Sequence, residues 1–420
     1  MQRLSFMNRV LFVLISLLIS RYALAQDYVA DADKLAAIVQ QLPSYKDQIK
    51  GDQKHLFDAI KQKAKQDILK AKDPYSRFYT LSQLILPLRD NHLYFSQNPP
   101  VDITIPSLKD TAFMNRYRGS VWFKQALSSK LNVDSLSKAL SVAPADSVEG
   151  IYHYGDALSM ALYRTTKRDS LVGVITGSKI KTWQPGQIAM VLKEYKPNRF
   201  KAYTLHILQK TWGLLLNEKL MHGMLTESHW KKFKNQPDFV NIQSTEPLFK
   251  FKNIDSGINY LRLGSFATSN KSLATSADFY NTIKDSLTAP TLIVDLRNNG
   301  GGGFKSSGKF LKLLEGYTKR GRIYALINNR TFSNAEQFAI KLSQLKNVTL
   351  LGETTNGTLA YGNNTGVTET LPSGEFKLYI TDMRDDGNYL PYEGVGVKPA
   401  IMLNAKSDWI LQAIKIINKK

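Results

Sequence analysis

The chain has 420 residues, 43% of them hydrophobic, which is enough for two or three domains with buried cores and excludes a wholly disordered polypeptide. It contains no cysteine, which excludes disulfides, thiolate metal sites and a cysteine nucleophile. A formal net charge of +21 draws it toward anionic surfaces, but no nucleic-acid motif is present. Weak association with anionic lipid or acidic envelope polymer is the partner the charge suggests, and scattered lysines that only keep the surface solvated are the plain alternative.

Residues 1–9 carry Arg3 and Arg9 with no acid, residues 10–19 are apolar, and Ala23-Leu24-Ala25 has the form of a cleavage site. Residues 1–25 therefore read as a secretory signal peptide, too short to span a membrane. An exported protein, periplasmic or extracellular, is expected, with a mature chain starting at Gln26. Residues 26–100 form an N-terminal helical region, with apolar stripes at 33–39, 56–60 and 75–88. The last stripe runs into Asp90-Asn91-His92. Residues 101–146 read as a connector with a helix or two.

Residues 147–235 change texture. Short β-rich runs at 151–154, 161–164, 171–175, 188–192 and 201–205 are separated by turns, which predicts a small barrel or sandwich. His153, His206, His222 and His229 lie in or near this module at spacings that match no metal motif, so neither metal nor cofactor is expected. Residues 236–250 read as a polar linker. Across 245–420 strands and helices alternate: strands at 258–263, 291–296, 322–327 and 348–352, helices at 276–287, 304–314 and 333–345, which predicts an α/β domain. Ser407 is the expected cap of a final helix.

Two strand-to-loop transitions in that domain carry the chemistry. One strand runs into Gly300 to Gly303, where bare backbone can approach a substrate closely. The next ends at Ser333, at the start of a helix whose free N–H groups and dipole favour negative charge. A serine that attacks a carbonyl needs such N–H groups aimed at the oxyanion it creates. The plainer readings are that Ser333-Asn334-Ala335-Glu336 is a helix capping box and that the glycine run is a flexible turn. The run lacks the Lys-Ser/Thr of a phosphate loop and the third spaced glycine of a dinucleotide fold.

Asp295-Leu296-Arg297-Asn298-Asn299-Gly300-Gly301-Gly302 resembles the signature of the tail-specific, or C-terminal-processing, serine peptidases, a family that includes the tricorn core and the interphotoreceptor retinoid-binding proteins. Thr331-Phe332-Ser333-Asn334-Ala335-Glu336 is similar to its nucleophile segment. Gly352-Glu353-Thr354-Thr355-Asn356-Gly357 and Glu393-Gly394-Val395-Gly396-Val397-Lys398-Pro399 resemble further landmarks in the family's order. The resemblance covers roughly residues 255–420 and a short piece near residue 92. It implies an α/β peptidase core, a ClpP/crotonase-like β/α superhelix, here joined to the N-terminal helical region and the small all-β module. Many members carry a PDZ domain, which is not evident in residues 147–235.

The tail-specific branch uses a lysine base at a position that falls on Thr358 here. The tricorn-like branch uses a histidine in a short element that Asp90-Asn91-His92 resembles. By that resemblance Ser333 is the nucleophile, His92 the base and Glu393 a supporting carboxylate, with the N–H groups of Gly301 and Asn334 as the oxyanion hole. Asn91 stands where the branch can have a serine, with a possible orienting role, and Asp295 and Arg297 look structural. The implied function is an exported serine endopeptidase acting on polypeptide substrates. The alternative is an inactive relative that binds extended peptides or envelope components. The oligomeric state is left open.

Overall fold

A computed structural model of the chain describes residues 27–384 and 387–419; the expected signal peptide lies outside these residues. Helices α1 (27–41), α2 (Pro43–Gln48), α3 (Asp52–Ile68) and α4 (Pro74–Ser82) lead to strand β1 (Tyr94–Gln97). Three short helices follow, α5 (Thr111–Gly119), α6 (Val121–Lys124) and α7 (Val133–Leu140). Next come strands β2 (Gly150–Tyr154), β3 (Leu158–Arg164), β4 (Ser170–Ser178), β5 (Ile188–Lys196), β6 (Arg199–Leu205), β7 (Trp212–Met221) and β8 (Met224–Leu225). The remainder alternates: β9 (Phe249–Asn253), β10 (Ile258–Leu263), α8 (Asn270–Ile283), β11 (Thr291–Asp295), α9 (Phe304–Tyr317), β12 (Arg322–Ile327), α10 (Asn334–Ser343) and β13 (Val348–Gly352). Strands β14 (Thr368–Thr370), β15 (Phe376–Tyr379) and β16 (Ile401–Met402) and helix α11 (Trp409–Ile417) complete it.

The chain divides into two units. The first comprises residues up to Arg89, Leu93–Lys232 and Asn363–Asp382; the second comprises Asp90–His92, Phe233–Gly362 and Met383–Lys420. In the first unit the strands form one antiparallel sheet in the order β14-β15-β1-β7-β6-β5-β4-β3-β2, with β8 paired to β7. This corrects the expected barrel or sandwich. Strands β2 to β7 each pair with the next, and helices rather than a second sheet supply the cover for the apolar face. Leu35 and Val39 of α1, Phe57 of α3 and Phe78 of α4 share one core with Phe95, Leu162, Leu192 and Phe376 of the sheet. The rings of Phe78 and Phe95 stack at 4.9 Å. The N-terminal helices and the β-rich stretch, read separately in sequence, thus bury their apolar faces against each other. In the connector α5 and α6 gather around Ile103, Met114, Tyr117 and Phe123, while α7 lies against β2, β3 and β4.

The second unit carries a six-stranded sheet, β16-β13-β12-β11-β10-β9, parallel except for β9. Parallel sheets are covered on both faces, and side chains alternate between faces along each strand. Leu292, Val294, Ile323, Ala325 and Ile327 point into a core with α8, α9 and α10. Ile293, Tyr324 and Leu326 point the other way, against Trp409 and Ala413 of α11. The expected linker at 236–250 ends in the edge strand β9, whose Phe249 and Phe251 pack on the first of these cores. Asp408, not Ser407, caps α11, accepting from the Leu411 N–H at 2.8 Å. Strands β11 and β12 are neighbours, with Asp295 opposite Leu326. Their carboxyl ends therefore lie side by side, which is where ligands bind in open α/β sheets.

Candidate active site

Everything in the site belongs to the second unit. The glycine loop leaves β11 through a buried ion pair. Arg297 donates from Nη2 to Asp295 Oδ2 at 2.6 Å and from Nε to Oδ1 at 3.0 Å, and the Tyr260 hydroxyl donates to Oδ2 at 2.9 Å. Burial pushes the Asp295 carboxyl up, but the Arg297 guanidinium and its hydrogen bonds outweigh it and hold the group below the usual carboxylate value. The loop then takes conformations that only glycine tolerates well. Gly301 has φ +79° and Gly302 φ +136°. A Cβ on Gly302 would lie 1.8 Å from the Phe266 carbonyl oxygen, and one on Gly301 would lie 2.8 Å from Ser333 Cβ. The glycines allow this loop to touch the serine turn.

Ser333 opens α10 with φ +58° and ψ −132°, a backbone state that a residue with a Cβ adopts at a cost of about 1–3 kcal/mol. Its surroundings hold it there. The Ser333 N–H donates to Thr358 O at 2.8 Å, with Glu336 Oε2 a second acceptor at 3.2 Å, and the Phe332 N–H donates to Asn299 O at 3.1 Å. The turn before it is locked by Thr331 Oγ1 donating to Leu296 O at 2.9 Å. Ser333 itself stays partly exposed.

His92 reaches this turn from 241 positions away in sequence: its Nε2 lies 3.1 Å from Ser333 Oγ. Its Nδ1 is sealed from solvent and has no hydrogen-bond partner among the described residues. Desolvation lowers the imidazole pKa to about 4, so the ring is neutral across the physiological range. Glu393 is buried and does not touch the ring through a hydrogen bond to Nδ1. It accepts the Asn91 N–H on Oε1 at 2.7 Å and the Leu359 and Ala360 N–H groups on Oε2, both at 2.8 Å. Burial raises its pKa to about 8 against the lowering pull of these N–H groups. Asn91 also donates from Nδ2 to Gly357 O at 2.8 Å, so it fixes the backbone beside His92 rather than the imidazole.

Ser333, His92, Asn91 and Glu393 are thus gathered in one place. For the expected oxyanion donors the picture divides. The Ala335 and Glu336 N–H groups turn back to Phe332 O and Ser333 O, while the N–H of Asn334, the first helical residue, makes no hydrogen bond among the described residues. The Gly301 N–H, by contrast, is occupied: it donates to Asn299 Oδ1 at 2.8 Å. That corrects the expectation of an open donor there. Asn299 is fully buried, donates from Nδ2 to Leu263 O at 2.8 Å, and uses its side-chain amide to close the turn that the glycines make possible. Nothing in the sequence distinguishes it from Asn298. Thr358, at the position of the other branch's lysine, supplies its carbonyl to Ser333 and donates its hydroxyl to Asn356 Oδ1 at 2.5 Å. Among the described residues no group of three or more His, Cys, Asp or Glu side chains could hold a metal, and no helix is long and apolar enough to cross a membrane.

Two outcomes follow from this geometry. Ser333→Gly should be more stable than Ser333→Ala by about 1–2 kcal/mol in thermal unfolding, because glycine removes the penalty of the positive φ; equal stabilities would show that the turn holds no strain. If His92 serves as a base it works only while neutral, so the acid limb of kcat/KM should fall near pH 4 rather than near the ordinary histidine value of 6.5. A limb near 6.5, in protein still folded by fluorescence, would contradict the desolvated imidazole.

Residues 312–403, about a fifth of the chain, match the family model of peptidase family S41. The matched stretch contains Ser333, Asn334, Glu336, the 352–357 segment and Glu393. No curated protein matches the chain. Among solved structures, mature CPAF is 12% identical, with 94% of this chain and 97% of that one covered, at a TM-score of 0.43. The photosystem II D1 C-terminal processing protease is 14% identical over 90% and 94% of the two chains, at 0.37. The tricorn protease is 13% identical over 94% of this chain and 37% of that one, at 0.42. Residues 312–403, which carry Ser333, the 352–357 segment and Glu393, are similar to peptidase family S41, and the likeness is to a serine-type peptidase.

Proposed function

We propose that the chain is an exported serine endopeptidase in which Ser333 is the nucleophile and His92 the base. The observation that carries this reading is the 3.1 Å contact between His92 Nε2 and Ser333 Oγ, made by residues that no local structure brings together. In the proposed cycle neutral His92 accepts the Ser333 proton on Nε2 as Oγ attacks the scissile carbonyl carbon. The Asn334 N–H and the start of α10 receive the oxyanion. The imidazolium then gives its proton to the leaving amine, and water hydrolyses the acyl-enzyme by the same route. Glu393 acts as a positioning group. It fixes the Asn91 N–H, and through it the backbone that presents His92. With the Gly301 N–H held by Asn299, the Asn334 N–H is the donor this reading relies on.

Ser333→Ala and His92→Ala should each lower kcat for casein hydrolysis by about a thousandfold or more without lowering the unfolding temperature by more than a few degrees. Undiminished hydrolysis in either folded variant would remove that residue from the mechanism. A wild-type chain that binds extended peptides but cleaves none would favour the inactive relative instead. Export is part of the same proposal: the protein recovered from the cell envelope or medium should have an intact mass beginning at Gln26, and a full-length cytoplasmic chain would refute it.

A further inference from the structure

Glu336 lies three residues past Ser333 and is fully buried, with four donors on one carboxylate. Oε1 accepts the Gly357 N–H at 2.7 Å and the Thr355 hydroxyl at 2.5 Å. Oε2 accepts the Thr358 N–H at 2.9 Å and the Ser333 N–H at 3.2 Å. Thr355 is anchored in turn, its Oγ1 taking the Val397 N–H at 2.7 Å. The next two amides along the loop, Leu359 and Ala360, go to Glu393. Four consecutive N–H groups, 357 to 360, are therefore shared between two buried carboxylates. One carboxylate also holds the nucleophile's N–H; the other holds the N–H of the residue before the base. The loop between them spans the gap that Ser333 and His92 must close.

We infer that Glu336 is a positioning residue for the nucleophile: its carboxylate ties the 355–358 loop to the Ser333 N–H and so holds Ser333 in its positive-φ turn, with Oγ in line with His92. This goes beyond a helix cap, which would need only an acceptor for the first free N–H groups. A carboxylate offers two acceptor oxygens in fixed geometry; here the three loop donors lie at 2.5–2.9 Å and the Ser333 N–H, shared with Thr358 O, at 3.2 Å. Glutamine in its place keeps the size but offers one acceptor, and turns an NH2 group toward N–H donors. The inference rests on Ser333 as the nucleophile, but its structural half can be read without catalysis.

The test uses the full chain and the Glu336→Gln variant. With casein, kcat should fall about ten- to hundredfold, as expected for a sub-ångström to ångström shift of the nucleophile, while KM stays within about twofold. An unchanged kcat per folded molecule would overturn the inference. The second arm is thermal unfolding of Ser333→Gly and Ser333→Ala, each with and without Glu336→Gln. If the carboxylate holds the turn, removing it lets the turn relax, so the advantage of glycine over alanine at 333 should shrink or vanish in the Glu336→Gln background. An advantage of undiminished size, or none in either background, would overturn the inference. If the wild type proves inactive, the peptidase reading falls and the unfolding arm alone decides. Should Glu336→Gln fail to fold, Thr355→Val removes one of the four donors and is read in the same two ways.

Discussion

A loop of four amides strung between two buried carboxylates governs the distance between Ser333 and His92. Neither residue is near the other in sequence, and neither sits on an element that could set their spacing alone: Ser333 is a turn residue at the head of a helix, and His92 belongs to a three-residue piece of the second unit. Hydrogen bonds of 2.7–2.9 Å from Gly357, Thr358, Leu359 and Ala360 to Glu336 and Glu393 turn the loop into a spacer of fixed length. A reaction that depends on a near-attack geometry is sensitive to shifts of about 1 Å. A spacer of this kind is what such sensitivity requires.

The site keeps charge low and strain local. Its imidazole is desolvated and neutral, its Nδ1 has no partner among the described residues, and the buried Glu393 carboxyl spends its oxygens on backbone N–H groups. This differs from a relay in which a carboxylate orients the imidazole directly. The penalty at Ser333 is offset by the bonds around it, and the ion pair of Asp295 and Arg297, buried under Tyr260, holds the other wall of the site. Breaking a pair so buried leaves an uncompensated charge, which is why these two residues mark structure rather than chemistry.

Much of this was legible in the sequence where a local rule carries the information. The strands of the second unit announce themselves as short apolar runs, and alternation with helices predicts their parallel sheet. Ser333 and His92 were singled out because motifs name them, and the fold brings them to 3.1 Å. What the sequence could not display is partnership at a distance. The β-rich runs of the first unit were recognised, yet a barrel or sandwich was expected, because strand runs carry no mark of what covers them; the cover is α1, α3 and α4. Gly301 was expected as an open donor, and the competing acceptor is a side chain two residues away whose aim depends on the turn. Glu336 was visible only as the end of a capping box. Its other three donors come from residues 19 to 22 positions further on.

The most direct test of the central claim is the site of covalent capture by a fluorophosphonate, which reacts with an activated serine hydroxyl and needs no knowledge of the substrate. Peptide mass spectrometry of the treated wild type should place a single adduct on Ser333, and the His92→Gln chain, folded but without its base, should label far more slowly. An adduct on another serine, no adduct at all, or equal labelling in the two chains would contradict a nucleophile at Ser333 activated by His92.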